Sequence, residues 1–164
     1  DSGVKTFIVH ARKGILKGLS PRQNRNIPPL NYQKVYSIKD DFPELEIIIN
    51  GGIKTISEAK NHLNYVDGVM LGRAAYDDPF MLSDIDSEIY SNTKIEISRK
   101  ELLTEYLDYV HLMTKKGYDP KIMLKHVFGL KKGEKDAKRF RVKVAEIMNS
   151  SSLVENKDDL LSMV

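Results

Sequence analysis

The sequence predicts an α/β segment followed by an all-α one. Three short apolar runs, at 4–9, 42–50 and 66–72, alternate with segments of helical spacing, and beyond residue 90 the strand-like runs stop. Each run also ends in a polar or glycine-rich step: His10-Ala11-Arg12, Asn50-Gly51-Gly52 and Gly72-Arg73. The order β-loop-α-β-α-β calls for parallel strands covered by helices.

The first strand opens almost at the beginning of a chain that does not start with Met. A polar stretch with Ser20-Pro21 and Pro28-Pro29 reads as a loop, and "YQKVYSIKDDF" as a helix covering the sheet through Val35, Tyr36 and Ile38. "FPELEIIIN" is the second strand, and its three consecutive isoleucines predict burial on both faces. The next helix, with Ser57 as its cap, repeats apolar residues at Ile56, Ala59 and Leu63 before the third strand, "VDGVMLG". Asp77-Asp78-Pro79 opens a short helix to about Ser87, and "SNTK" at 91–94 reads as a linker between domains 1–90 and 91–164.

In the second domain Ser98 and Glu101 form a capping box for a long helix. Its stripe is Leu102, Leu103, Tyr106, Leu107, Val110 and Met113, and Gly117 ends it. Asp119-Pro120 starts another helix, "DAKRFRVKVAEIMN" a third packing through Phe140, Val144, Ile147 and Met148, and "NKDDLLSMV" a short last one. Three parallel strands do not close a sheet. Either the sheet is small and open or the strands are a piece of a larger barrel; an opening strand with one unpaired edge is a liability unless other chain covers it, which favours a piece.

The 164 residues contain no cysteine, which excludes disulfides, thiolate metal sites and a cysteine nucleophile within this chain and agrees with a cytoplasmic location. No window approaches a membrane span, no histidine–carboxylate spacing marks a metal site, and neither a G-x-G-x-x-G nor a Walker A pattern occurs. Charge is uneven. Residues 115–143 hold 11 basic and 3 acidic residues, and the acid-free stretch 10–25 holds Arg12, Lys13, Lys17, Arg22 and Arg25. Either run alone reads as a solvated face; together they favour a polyanionic partner.

The strand ends carry the chemistry. In an α/β barrel, functional residues sit at the carboxyl ends of the strands, and the loops after the last two often hold a phosphate. Glycines there admit backbone N–H groups to phosphate oxygens, and an arginine adds a forked charge. An isolated Asn-Gly-Gly reads first as a tight turn; "GVMLGRAAY" one βα unit later tips the reading toward a ligand. His10 reads either as a site residue or as a histidine satisfied by a core hydrogen bond, and His62, His111 and His126 as packing or surface residues.

"FIVHARKGILKGLSPRQNRNIPPLNY", "INGGIKTISEAKNHL" and "VDGVMLGRAAYDDPFML" together resemble the C-terminal half of a tRNA-dihydrouridine synthase of the DusA type. The match is strong over 4–83 and looser in the tail, at "KHVFGL" and "AKRFR". The resemblance implies the last three βα units of a TIM (β/α)8 barrel, followed by a helical bundle domain that binds tRNA. It implies FMN as cofactor and NADPH as reductant, with uridine in the tRNA D-loop reduced to 5,6-dihydrouridine at positions 20 and 20a. Carried over by motif, His10 contacts the flavin, and Asn50, Gly51, Gly52, Gly72 and Arg73 hold its phosphate and ribityl side. Arg25, Pro28, Lys138 and Arg141 fall where the subfamily meets tRNA; lysine at 138 forgoes bidentate recognition there. The family's proton-donor cysteine belongs to the N-terminal half of the barrel, which this chain lacks, so no residue here is expected to be that acid. Two other readings fit fewer residues. A non-catalytic RNA-binding module explains the basic runs, and another FMN barrel of the dihydroorotate dehydrogenase kind explains the glycines but gives the basic tail no role.

Overall fold

The computed structural model of the chain describes residues 3–90, 93, 96–149 and 157–164. The chain divides into two compact units, Asp1–Ala74 and Ala75–Val164.

In the first unit three parallel strands, β1 (Thr6–His10), β2 (Glu46–Asn50) and β3 (Gly68–Met70), form a sheet in the order β1-β2-β3. Their register sets His10 beside Asn50 and Asn50 beside Met70. The strands are shorter than the apolar runs. Residues 43–45, for instance, form a turn closed by the Leu45 N–H donating to the Phe42 carbonyl at 3.1 Å. Strand side chains alternate between faces, and here the two faces differ. Ile47 and Ile49 are fully buried, Ile48 is half-buried, and Ile8 and Met70 on the same face as Ile48 are 59% and 44% exposed. The burial expected on both faces of β2 therefore holds on one only. Helices α2 (Tyr32–Asp41) and α3 (Ile56–His62) pack on β2 and β3 respectively, burying Val35 and Ala59. Among the described residues the opposite face carries no helix of this unit.

Local chemistry fixes these elements. A short helix, α1 (Pro21–Asn24), forms where the sequence reads as a loop, because Ser20 and Gln23 close a capping box around Pro21. The cap of α3 is Thr55 and not the expected Ser57: Thr55 is extended, its hydroxyl accepts the Glu58 N–H at 3.1 Å, and the Glu58 carboxylate accepts the Thr55 N–H at 3.1 Å. The Asp67 carboxylate accepts the Ile47 N–H at 2.8 Å and pairs with Lys39 at 2.8 Å, tying the start of β2 to the end of α2. Those contacts, the Ile47 N–H first, hold its carboxyl below the ordinary value.

A further short helix, α4 (Arg73–Asp77), spans the division between the units. The second unit continues through a 3-10 segment at Pro79–Asp84 and α5 (Ile85–Glu88) to α6 (Arg99–Lys115). Then come α7 (Pro120–Leu124), a 3-10 turn at Lys125–Val127, α8 (Ala137–Asn149) and α9 (Lys157–Leu161). The Ser98–Glu101 capping box and the Asp119-Pro120 start form as expected. Leu103, Leu107, Leu124, Val127, Leu130, Phe140, Val144, Ile147 and Leu160 build one core, each such side chain contributing about 1.5–3 kcal/mol. Phe80 packs against that core with the Arg99 guanidinium 4.0 Å over its ring, and Tyr76 meets His126 edge-on at 5.6 Å. These contacts draw 75–90 into the helical unit, where the sequence placed the division at 90/91. Apart from Thr93, the linker expected at 91–94 lies outside the described residues.

Candidate active site

The register brings the ends of the three strands together by geometry alone. His10 and Asn50 are adjacent, and both project on the face left uncovered by helices. Gly51-Gly52 and Gly72-Arg73 follow directly. Gly51 and Gly52 have φ of 122° and 74°, a region that disfavours side chains. The space left by their missing Cβ atoms is filled by the protein itself. A Cβ on Gly51 would lie 3.1 Å from Leu30 Cδ2 and 3.2 Å from His10 Cε1. One on Gly52 would lie 2.5 Å from Leu30 Cδ1 and 3.3 Å from the Tyr32 hydroxyl. Around Gly72, by contrast, no atom of the described residues other than its own chain neighbours lies within 4 Å of that position. The N–H groups of Gly51, Gly52 and Gly72 find no acceptor among the described residues.

The loop after β1 is folded back over the strand ends. Arg12 and Leu30 form an antiparallel bridge, the Asn31 N–H donates to the Ala11 carbonyl at 2.7 Å, and the Arg12 guanidinium donates to the Pro28 carbonyl. Arg73 donates to Asn26 Oδ1 at 2.9 Å, so a second arginine grips the same loop. Among the described residues no carboxylate pairs with either arginine, and Arg12 Nε is buried without a partner. Burial first, then Arg12 and Arg73, hold His10 below the ordinary histidine value, favouring the neutral ring. Donors therefore dominate the site: two guanidiniums, three free glycine N–H groups and an imidazole. That donor set fits an anion such as a phosphate monoester.

The sequence put His10, Asn50, Gly51, Gly52, Gly72 and Arg73 at one place, and all six lie in this corner of the first unit. Of the four residues read as tRNA contacts, Arg25 is exposed, while Pro28 is buried and its carbonyl is taken by Arg12. Lys138 and Arg141 are exposed one turn apart on α8, away from its buried Phe140, Val144 and Ile147. Sequence reasoning missed Asn26, Leu30 and Tyr32. Only the fold brings them to the glycine turn, and the one trace in sequence was the density of polar and Pro residues in 20–31.

Similarity to known proteins is extensive. The family model described as dihydrouridine synthase matches residues 1–164. The chain belongs to the dihydrouridine synthase family. The tRNA-dihydrouridine(20/20a) synthase of Pseudomonas putida is 44% identical over 141 residues, covering 86% of this chain and 42% of that protein. The same-named protein of Haemophilus ducreyi is 45% identical over 140 residues, 85% of this chain and 43% of its own length. That of Synechocystis is 43% identical over 141 residues, 86% and 42%. The chain spans less than half the length of these curated relatives. Among the described residues no helix is long and apolar enough to cross a membrane, and no group of three or more His, Asp or Glu side chains is placed to hold a metal ion.

Proposed function

We propose that this chain is part of a tRNA-dihydrouridine synthase that reduces uridine to 5,6-dihydrouridine in the tRNA D-loop, at positions 20 and 20a. The observation that carries the reading is the donor-rich corner at three adjacent parallel strand ends, in a member of this family. The three strands would be the last three of an eight-stranded barrel. Support comes from the sheet face that bears Ile8, Met70, His10 and Asn50: among the described residues no helix of the first unit covers it, as suits the inside of a barrel. The rest of the barrel, including the proton-donor cysteine, would be supplied by the remainder of the full-length protein.

The corner fits FMN. Arg73 and the N–H groups of Gly51, Gly52 and Gly72 would hold its phosphate, Asn50 the ribityl chain, and His10 the flavin itself. The neutral state favoured for His10 leaves one ring nitrogen to donate and one to accept. When bound, FMN recharged by NADPH supplies the hydride added to uridine. The chain's own residues bind and orient. Arg12 and Asn26 hold the 12–31 loop in place, presenting Arg25 toward tRNA, while Lys138 and Arg141 meet tRNA phosphates from α8. Such an enzyme works where tRNA is, in the cytoplasm.

The phosphate assignment is tested on the full-length protein with Arg73→Ala. Loss of a charge-assisted contact predicts FMN binding weakened between about tenfold and a hundredfold. Affinity for riboflavin, which lacks the phosphate, should hold. Equal losses for both flavins would refute the assignment.

A further inference from the structure

The Gly51-Gly52 turn is held from behind by one hydroxyl. The Tyr32 O–H donates to the Gly51 carbonyl at 2.9 Å, across 19 residues of sequence. The peptide joining Gly51 to Gly52 is planar and trans, so its carbonyl and its N–H point in opposite directions. Fixing the Gly51 oxygen on Tyr32 therefore aims the Gly52 N–H the other way. Glycine, with little steric preference of its own, needs such a constraint; free, the peptide would sample several orientations.

Tyr32 is itself braced. Its ring lies edge-on to the imidazole of His62, with centroids 4.4 Å apart and planes at 62°. His62 is 7% exposed, and its Nδ1 is 2.6 Å from the Tyr36 hydroxyl, whose ring stacks on Tyr65 at 4.4 Å. A buried polar group is retained when its hydrogen bonds are met, and here the pair holds an aromatic ring that would otherwise turn. Leu30 closes the remaining side against both glycines. The chain of contacts runs from the last residue of α3, His62, through Tyr32, to one carbonyl of the turn.

We infer that Tyr32 is a positioning residue for phosphate binding: through the Gly51 carbonyl it orients the Gly52 N–H toward the FMN phosphate, with His62 and Tyr36 fixing its ring. The inference rests on the FMN reading above and adds a residue that never touches the cofactor. Its signature is selectivity for the phosphate, which general weakening of the fold does not produce.

The test uses the full-length protein freed of flavin, titrated with FMN and with riboflavin by fluorescence, as wild type, Tyr32→Phe and Ser37→Ala. Tyr32→Phe keeps the ring and removes the bond, so FMN affinity should fall about tenfold while riboflavin affinity stays within about twofold. Ser37→Ala removes a hydroxyl bond on the same helix, to the Gln33 carbonyl at 3.0 Å, leaves the Tyr32 bond in place and should change FMN affinity by no more than about twofold. A Tyr32→Phe protein that holds FMN as wild type does, or that loses both flavins equally, overturns the inference alone. Equal effects of the two substitutions would also overturn it, since they would mark general support of the fold. Wild-type protein that binds FMN no better than riboflavin overturns the phosphate reading, and this inference with it.

Discussion

Gly129→Ala is expected to destabilise the full-length protein by about 2–3 kcal/mol, the upper end of what overpacking a closed site costs. A Cβ at this position would overlap the Asp77 carbonyl oxygen and lie 2.7 Å from the Asp77 carbonyl carbon and 2.9 Å from Pro79 Cδ. Backbone cannot step aside as a side-chain tip can, so the 124–130 turn must withdraw or the 77–79 segment must shift. Either movement disturbs the core on both sides of Gly129, where Leu130 and Val127 are buried and Phe80 packs in. Chemical denaturation read against Gly14→Ala gives the measure. Gly14 has open space around its Cβ position, so that control should stay within about 0.5 kcal/mol of wild type. A Gly129→Ala protein as stable as the control would show that the close approach is not tight.

The second large effect belongs to Gly52→Ala. Its φ of 74° costs a residue with a Cβ about 1–3 kcal/mol, and the new methyl would press on Leu30 Cδ1 at 2.5 Å. Leu30 is a flexible side chain and gives way, but in giving way it releases its hold on the turn. Destabilisation of about 2–3 kcal/mol is therefore expected, together with loss of FMN binding. The two causes separate in a double-mutant cycle with Leu30→Ala. Truncating Leu30 should recover the overlap component and leave the backbone component, so the double variant should lose less stability than the sum of the two single ones. Strict additivity would place the whole cost in the backbone.

What the sequence made legible was local. The Ser98–Glu101 box, the Asp119-Pro120 start and the β-loop-α-β-α-β order each depend on residues a few positions apart, and each took the expected form. Ser57 lost the cap to Thr55 because backbone angle, not residue type, decides which hydroxyl faces the first turn. Two polar residues around a proline were enough to fold α1 where only a loop was expected. The isoleucine run of β2 is buried in this chain on the face that α2 covers, and only half-buried at Ile48, on the face proposed to line the barrel. Missed outright were partners set by tertiary packing: Asn26 on Arg73, Tyr32 on Gly51, and Leu30 in the place of two absent Cβ atoms. The glycines of "INGGIKT" were read as room for a ligand. Their Cβ sides serve the fold, and it is their N–H groups that remain to be used.

The most direct test of the central claim is the dihydrouridine content of tRNA from a strain lacking the full-length gene, mapped at positions 20 and 20a. Dihydrouridine should be absent there, return with the wild-type gene, and return weakly or not at all with Arg73→Ala. Unchanged dihydrouridine at both positions in the deleted strain would contradict the account.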